Sequence, residues 1–185
     1  MRFNLKSKNS GRVWIRLISV PGIVAASALP GYAAVYLTIE QAQQAVFPGG
    51  TFTPASLHLT EDQCKQIKKL TGVPVRVKDP KIWKVDGGGY FIVDEVLGKH
   101  EFIIYAVGIN ADGSVKQIEI MDYRETYGYE IRDESWRKQF AGKTGRSPLK
   151  LDEDIKNISG ATLSSRHITD GVKRVLAMYE TVLHS

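Results

Sequence analysis

Residues 102–109 carry apolar side chains on both alternating sets, Phe102, Ile104 and Ala106 on one and Ile103, Tyr105 and Val107 on the other. A strand with that pattern is covered on both faces, so it predicts a central strand. Residues 90–96, rich in Ile, Val, Phe and Tyr, predict a neighbouring strand. Asn110-Ala111-Asp112-Gly113 supplies turn chemistry, with Gly113 able to take positive φ, and residues 114–122 return as the partner. Asp86-Gly87-Gly88-Gly89 reads as a turn. Near the end of the chain the period changes. Ile168, Val172, Val175, Leu176, Tyr179, Val182 and Leu183 recur at helical spacing and form one continuous apolar stripe, which predicts a long final helix.

The first part of the domain reads as helical. Thr38 is a plausible N-cap for a short helix ending at Val46, before Pro48-Gly49-Gly50. Thr60 with Gln63 three residues on fits a capping box and opens a second helix that stops near Gly72. Val73, Val75 and Val77 then alternate, which predicts a strand closed by Asp79-Pro80.

The chain has 185 residues and a formal charge of +5, a balance that invites a nucleic-acid reading. The distribution argues otherwise. Of 25 basic residues, Arg2, Lys6, Lys8, Arg12 and Arg16 lie in residues 1–33, which hold no acid. The remainder is 20 basic against 20 acidic, so no electrostatic term favours nucleic acid. Residues 1–16 form a positive stretch, residues 17–29 a short apolar one, and Gly31-Tyr32-Ala33 offers small residues at the −3 and −1 positions of a cleavage site. Ala26-Ser27-Ala28 is a second such site. This is the pattern of a secretory signal peptide. An uncleaved anchor is the alternative, but 13 residues fall short of the ~20 of a membrane span. The expectation is a signal peptide over 1–33, cleavage near Ala33 and a periplasmic or otherwise exported protein. Cys64 is the only cysteine and reads as a partly buried small hydrophobe. His58, His100, His167 and His184 are scattered, so no metal site is expected.

Asn157-Ile158-Ser159-Gly160-Ala161-Thr162-Leu163-Ser164-Ser165 precedes the final apolar stripe. Small residues and hydroxyls at a helix start suit an anion such as a phosphate, and they also suit a plain Ser/Thr cap. A hydrolase built on Ser159, Ser164 or Ser165 with His167 is disfavoured. His167 is only two positions from Ser165 on a helix, and no Gly-x-Ser-x-Gly elbow occurs.

Ser159-Gly160-Ala161-Thr162-x-Ser164 resembles the flavinylation motif of the FMN-binding domain family, which includes covalent-flavin subunits of the sodium-pumping NADH:quinone oxidoreductase and of a related ferredoxin-linked complex. Glu125-Thr126-Tyr127-Gly128 resembles the family's Glu-Thr-x-Gly element, and Trp136, Phe140 and Gly142 resemble the segment after it. The likeness covers about residues 84–183. It implies an α+β fold, an antiparallel sheet backed by helices, with the flavin at the N-terminus of the last helix. Beside the signal peptide at 1–33 and the helical lead-in with a first strand over 34–79 that the residues themselves give, it implies an FMN-binding domain over 80–185. It implies FMN joined by a phosphoester to Thr162, attached by a separate flavin transferase that uses FAD and Mg²⁺. Ser159, Gly160, Ala161, Leu163 and Ser164 would surround the attachment point, and Glu125 and Thr126 would orient the ring or its ribityl chain. The family usually has Asp three residues before the motif serine; here that residue is Lys156, with Asp154 two positions earlier. Lys156 would face the phosphate or the reduced flavin, or simply be solvated. Tyr123, Tyr127, Tyr129 and Trp136 are candidates for stacking on the ring or for completing the core. The implied function is an electron carrier rather than an enzyme. Its partners would be the transferase and donor and acceptor proteins, membrane-bound ones included. The alternative is a module that holds flavin or another phosphate ligand without a covalent bond and without electron transfer.

Overall fold

The structure is a computed structural model and describes residues 36–184. The leader at 1–33 and its cleavage site lie outside the described residues.

The predicted capping box at Thr60 forms, and the Thr38 cap proves to be a capping box as well. In α1 (Ile39–Val46) the Thr38 side chain accepts from Gln41 N, and the Gln41 side chain accepts from Thr38 N. In α2 (Glu61–Thr71) Thr60 and Gln63 make the same exchange. A five-stranded antiparallel meander completes the sheet layer, β1 (Phe52–Ala55), β2 (Lys81–Val85), β3 (Gly89–Leu97), β4 (Phe102–Ile109) and β5 (Val115–Asp122), in spatial order β1-β2-β3-β4-β5. β3 and β4 pair from Tyr90↔Ile109 to Leu97↔Phe102. After β5 come a 3₁₀ turn at Tyr129–Arg132, a one-turn helix α3 (Glu134–Arg137) and the long α4 (Thr162–Met178), which continues as a π turn to Leu183. The α+β class expected from the sequence is the one observed.

β4 is buried on both faces, as its pattern predicts. Ile103, Tyr105, Val107 and Ile109 join the main core with the α4 stripe of Ile168, Val172, Val175 and Leu176. Ala106 and half-buried Ile104 belong to a second core, where Ala42 and Val46 of α1 pack on Phe91, Val85 and Met121. Cys64 is half-buried and packs on the edge of the main core.

One expectation needs correction. Residues 73–77 do not form a strand. Val73 and Val75 do turn inward, but Pro74 has no N–H to give a ladder, and its carbonyl is taken by Arg174 at 3.2 Å. The alternation reports burial of an extended connector rather than sheet pairing. The first strands are instead β1 and β2. Trp83 and Phe91, partners across β2 and β3, pack edge to face at 5.7 Å. Among the described residues no helix is long and apolar enough to cross a membrane.

Candidate functional site

The start of α4 is built differently from the starts of α1 and α2. Its cap residue, Ala161, has φ −127° and ψ 27° and no side-chain hydrogen bond. The first N–H groups of a helix have no acceptor within it, and the dipole makes that end positive. Gly160 turns the chain into the helix at φ +83°, a conformation that strains any residue with a Cβ; a Cβ there would meet nothing within 4 Å. The glycine therefore serves the turn, and the space above it is open.

The two sequence elements meet at one contact. At Gly128, φ is +90°, and a Cβ would lie 2.5 Å from Ala161 Cβ and 2.7 Å from the Tyr123 hydroxyl. That hydroxyl donates to the Tyr127 carbonyl and lies 3.3 Å from Ser164 Oγ. The loop of Glu125, Thr126 and Tyr127 is thus folded against the start of α4.

The third wall is the β3–β4 turn. Glu125 Oε1 accepts from the backbone N–H of His100 at 2.6 Å and of Glu101 at 3.1 Å. Burial pushes this carboxyl up, and the N–H groups of His100, Glu101 and Lys99 more than reverse that, so its pKa falls below the usual range. The carboxylate is occupied in tying the loop to the turn. Lys99 and His100 thereby reach the same cleft as Glu125–Tyr127 and residues 160–164, a space of about 370 Å³. That lies within the roughly 300–1,000 Å³ of small-molecule pockets.

Replacing Glu125 with alanine should cost about 1.5–3 kcal/mol at neutral pH, the usual worth of hydrogen bonds to a charged group. A lowered native pKa means this contribution is present above the unfolded carboxylate's pKa and is lost as pH falls through the native one. Urea midpoints of wild type and Glu125→Ala should therefore differ at pH 7 and draw together in acid, below the usual carboxylate range. A gap unchanged by acid would show that the charge plays no part.

Of the other residues singled out in the sequence, Thr162 is half-buried on the cleft wall, and its Oγ1 accepts from Asn157 Nδ2 at 3.2 Å. Gly160, Ala161, Leu163, Ser164 and Thr126 also line the cleft. Ser159 and Lys156 lie outside the lining, and both are exposed. Lys156 is pinned by its main chain: its carbonyl accepts from Trp136 Nε1 at 2.8 Å, and its N–H donates to Gln139 Oε1 at 2.7 Å. Asp154 accepts from Lys150 N at 2.9 Å, Leu149 N at 3.2 Å and Lys143 Nζ at 2.9 Å, which ties it to its own loop. Tyr123 and Trp136 are core residues, whereas Tyr127 is 78% exposed beside the cleft. Ser165 is fully buried and donates to the Ala161 carbonyl, and His167 Nδ1 bonds the Leu97 carbonyl, so no serine–histidine pair exists here. No group of three or more metal-binding side chains occurs among the described residues.

Lys99, His100 and Asn157 belong to no motif, and sequence spacing does not single them out. The meander could have placed the first two. In successive antiparallel strands the end of β3, the start of β4 and the end of β5 lie at one end of the sheet, so the turn at 98–101 must adjoin the loop after Asp122.

Residues 98–177 match the model of the FMN-binding domain, the family whose motifs the sequence resembles. A stretch of 84 residues is 30% identical to a component of the Na(+)-translocating ferredoxin:NAD(+) oxidoreductase complex of Acetobacterium woodii, over 40% of this chain and 41% of that protein. The chain therefore spans about two-fifths of that relative. The fold is similar to the crystal structure of a component of the Na(+)-translocating NADH-quinone reductase from Parabacteroides distasonis, with a TM-score of 0.50 and 13% identity, covering 83% of this chain and 88% of that one.

Proposed function

We propose that this FMN-binding-domain protein is an exported flavoprotein electron carrier whose FMN sits in the cleft at the start of α4, joined through its phosphate to Thr162. The observation that carries the reading is the position of Thr162. Its half-buried hydroxyl stands in the first turn of a helix without a side-chain cap, in the cleft shared with Glu125–Tyr127. The residues present fit the group. A phosphate suits unpaired N–H groups at a helix start. The open space above Gly160 leaves the approach clear.

Attachment is a group transfer with FAD as the donor. The Thr162 hydroxyl attacks the FMN phosphorus of FAD, AMP leaves, and the hydroxyl proton passes to a base of the transferase. A flavin transferase with Mg²⁺ performs this step, so the protein is the substrate of an enzyme rather than an enzyme itself. FMN, once bound, supplies the redox chemistry. The chain's own residues orient it and leave the Tyr127–Leu163 side of the cleft open to donor and acceptor proteins, membrane-bound ones included.

One experiment tests the reading. The full chain, leader included, is produced beside a flavin transferase and recovered outside the cytoplasmic membrane. Intact mass should give a chain beginning near residue 34 plus one phosphoester-linked FMN, with flavin fluorescence surviving denaturation. Fluorescence lost on denaturation supports the reversible module instead. An intact Met1 on a membrane-held product overturns export.

A further inference from the structure

We infer that Asn157 is the positioning residue of the acceptor hydroxyl, its side-chain amide holding Thr162 Oγ1 by a lone pair so that the hydroxyl hydrogen stays free toward the cleft. This rests on flavin attachment at Thr162 as proposed above.

Three observations carry it. Asn157 Nδ2 donates to Thr162 Oγ1 at 3.2 Å. Asn157 Oδ1 is buried and has no hydrogen-bond partner among the described residues. The chain beside Asn157 is fixed on both sides. Lys156 is bonded through its carbonyl to Trp136 and through its N–H to Gln139, and Ala161 N donates to the Ile158 carbonyl at 3.0 Å.

A threonine hydroxyl has one hydrogen and two lone pairs. A donor placed against it takes a lone pair, so the hydrogen points elsewhere and is available to the base that removes it. A carboxylate in the same place would take the hydrogen instead. As the Oγ1–H bond breaks, negative charge builds on Oγ1, and a donor already aimed at that atom stabilises it. The unpaired Oδ1 argues against a purely stabilising role. A buried acceptor without a donor weakens the fold, and an unsatisfied group retained in a fold asks for another explanation. The cleft also holds Lys99, His100 and Glu125, but Glu125 is bonded to the turn. Among the described residues the Thr162 hydroxyl has Asn157 as its hydrogen-bond partner.

The test is a time course of flavin attachment to the full-length protein by a flavin transferase with FAD and Mg²⁺, followed by intact mass, on wild type, Asn157→Leu and Asn157→Asp. Leucine is close to asparagine in shape but has no donor, and it removes the unpaired oxygen. Aspartate keeps the shape and reverses the hydrogen bond. Both should label at least about tenfold more slowly at saturating transferase. Asn157→Leu should do so with a melting temperature equal to or above wild type, which a merely structural role would not give. Wild-type rates in either variant overturn the inference and leave the attachment site standing. If wild type takes up no flavin, or Thr162→Ala still does, the attachment reading itself fails and this inference with it.

Discussion

Thr162→Ala should abolish covalent flavin: no mass increment after co-production with the transferase, and no fluorescence in the denatured band. No neighbouring hydroxyl is placed to take over. Ser165 is fully buried and spends its hydroxyl on the Ala161 carbonyl, and Ser164 is 4% exposed beside the Tyr123 hydroxyl. Ser159 lies outside the cleft lining. Thr126 lines the cleft from the other wall and has no helix start behind it. The fold should survive. The substitution removes one hydrogen bond, from Asn157, worth about 1 kcal/mol, and places a better helix former in the first turn. Thr162→Ser should keep attachment at a reduced rate, because the hydroxyl remains but the β-methyl that restricts its rotamer is gone. Covalent flavin on Thr162→Ala, shown by intact mass, would overturn the assignment.

What the sequence disclosed was what depends on neighbours in the chain. Thr60 with Gln63 satisfies orphan N–H groups three residues away, so that box is legible before any tertiary contact exists, and Thr38 is legible as a cap on the same local grounds. The two-sided apolar pattern of residues 102–109 reports two cores, and both are there. β1 and β2 were not legible. Phe52-Thr53-Pro54-Ala55 is short and contains proline, which an edge strand tolerates, and β2 breaks its apolar run with Lys81 and Lys84. Residues 73–77 failed in the other direction, because an extended connector packed on a core alternates like a strand without pairing as one.

The candidate site divides along the same line. Ser159-Gly160-Ala161-Thr162 and Glu125-Thr126-Tyr127-Gly128 are contiguous and could be read. That they meet at Gly128 and Ala161 is a tertiary fact. Lys99 and His100 arrive through strand topology, and Asn157 through a turn, so neither leaves a spacing signal. Glu125 shows what a motif leaves out: it lines the cleft, and its Oε1 is also bonded to the backbone of the β3–β4 turn, a contact that no spacing in the sequence announces.

The largest loss of stability should come from Asp94→Ala, at the point where α4 is anchored to the sheet. Arg174 reaches from α4 to Asp94 Oδ2 at 2.6 Å, and donates to the carbonyls of Glu95 at 3.0 Å and Pro74 at 3.2 Å. The Tyr105 hydroxyl donates to the same carboxylate oxygen at 2.6 Å. Side-chain exposures of 7% for Arg174 and 12% for Asp94 leave little water to replace a missing partner. Removing the carboxylate strands a buried guanidinium and a buried hydroxyl, which costs about 3–5 kcal/mol. Native stabilities are about 5–15 kcal/mol, so urea unfolding should register the change as a large drop in midpoint. Arg174→Met combined with Asp94→Leu should cost less than Asp94→Ala alone, because no charge is left unpaired. Tyr105 adds an alkaline signature. Burial, and then the Asp94 charge, hold its pKa well above the ordinary value of 10.0. An unfolded tyrosine ionises near about 10 while the native one stays neutral, so this contribution is full below that pH and is lost as pH rises through the native pKa. Tyr105→Phe should remove that part of the alkaline fall in stability. A cost below about 1 kcal/mol for Asp94→Ala would mean that α4 is held by its apolar stripe alone, and that the Asp94–Arg174 pair contributes no more than a surface ion pair does.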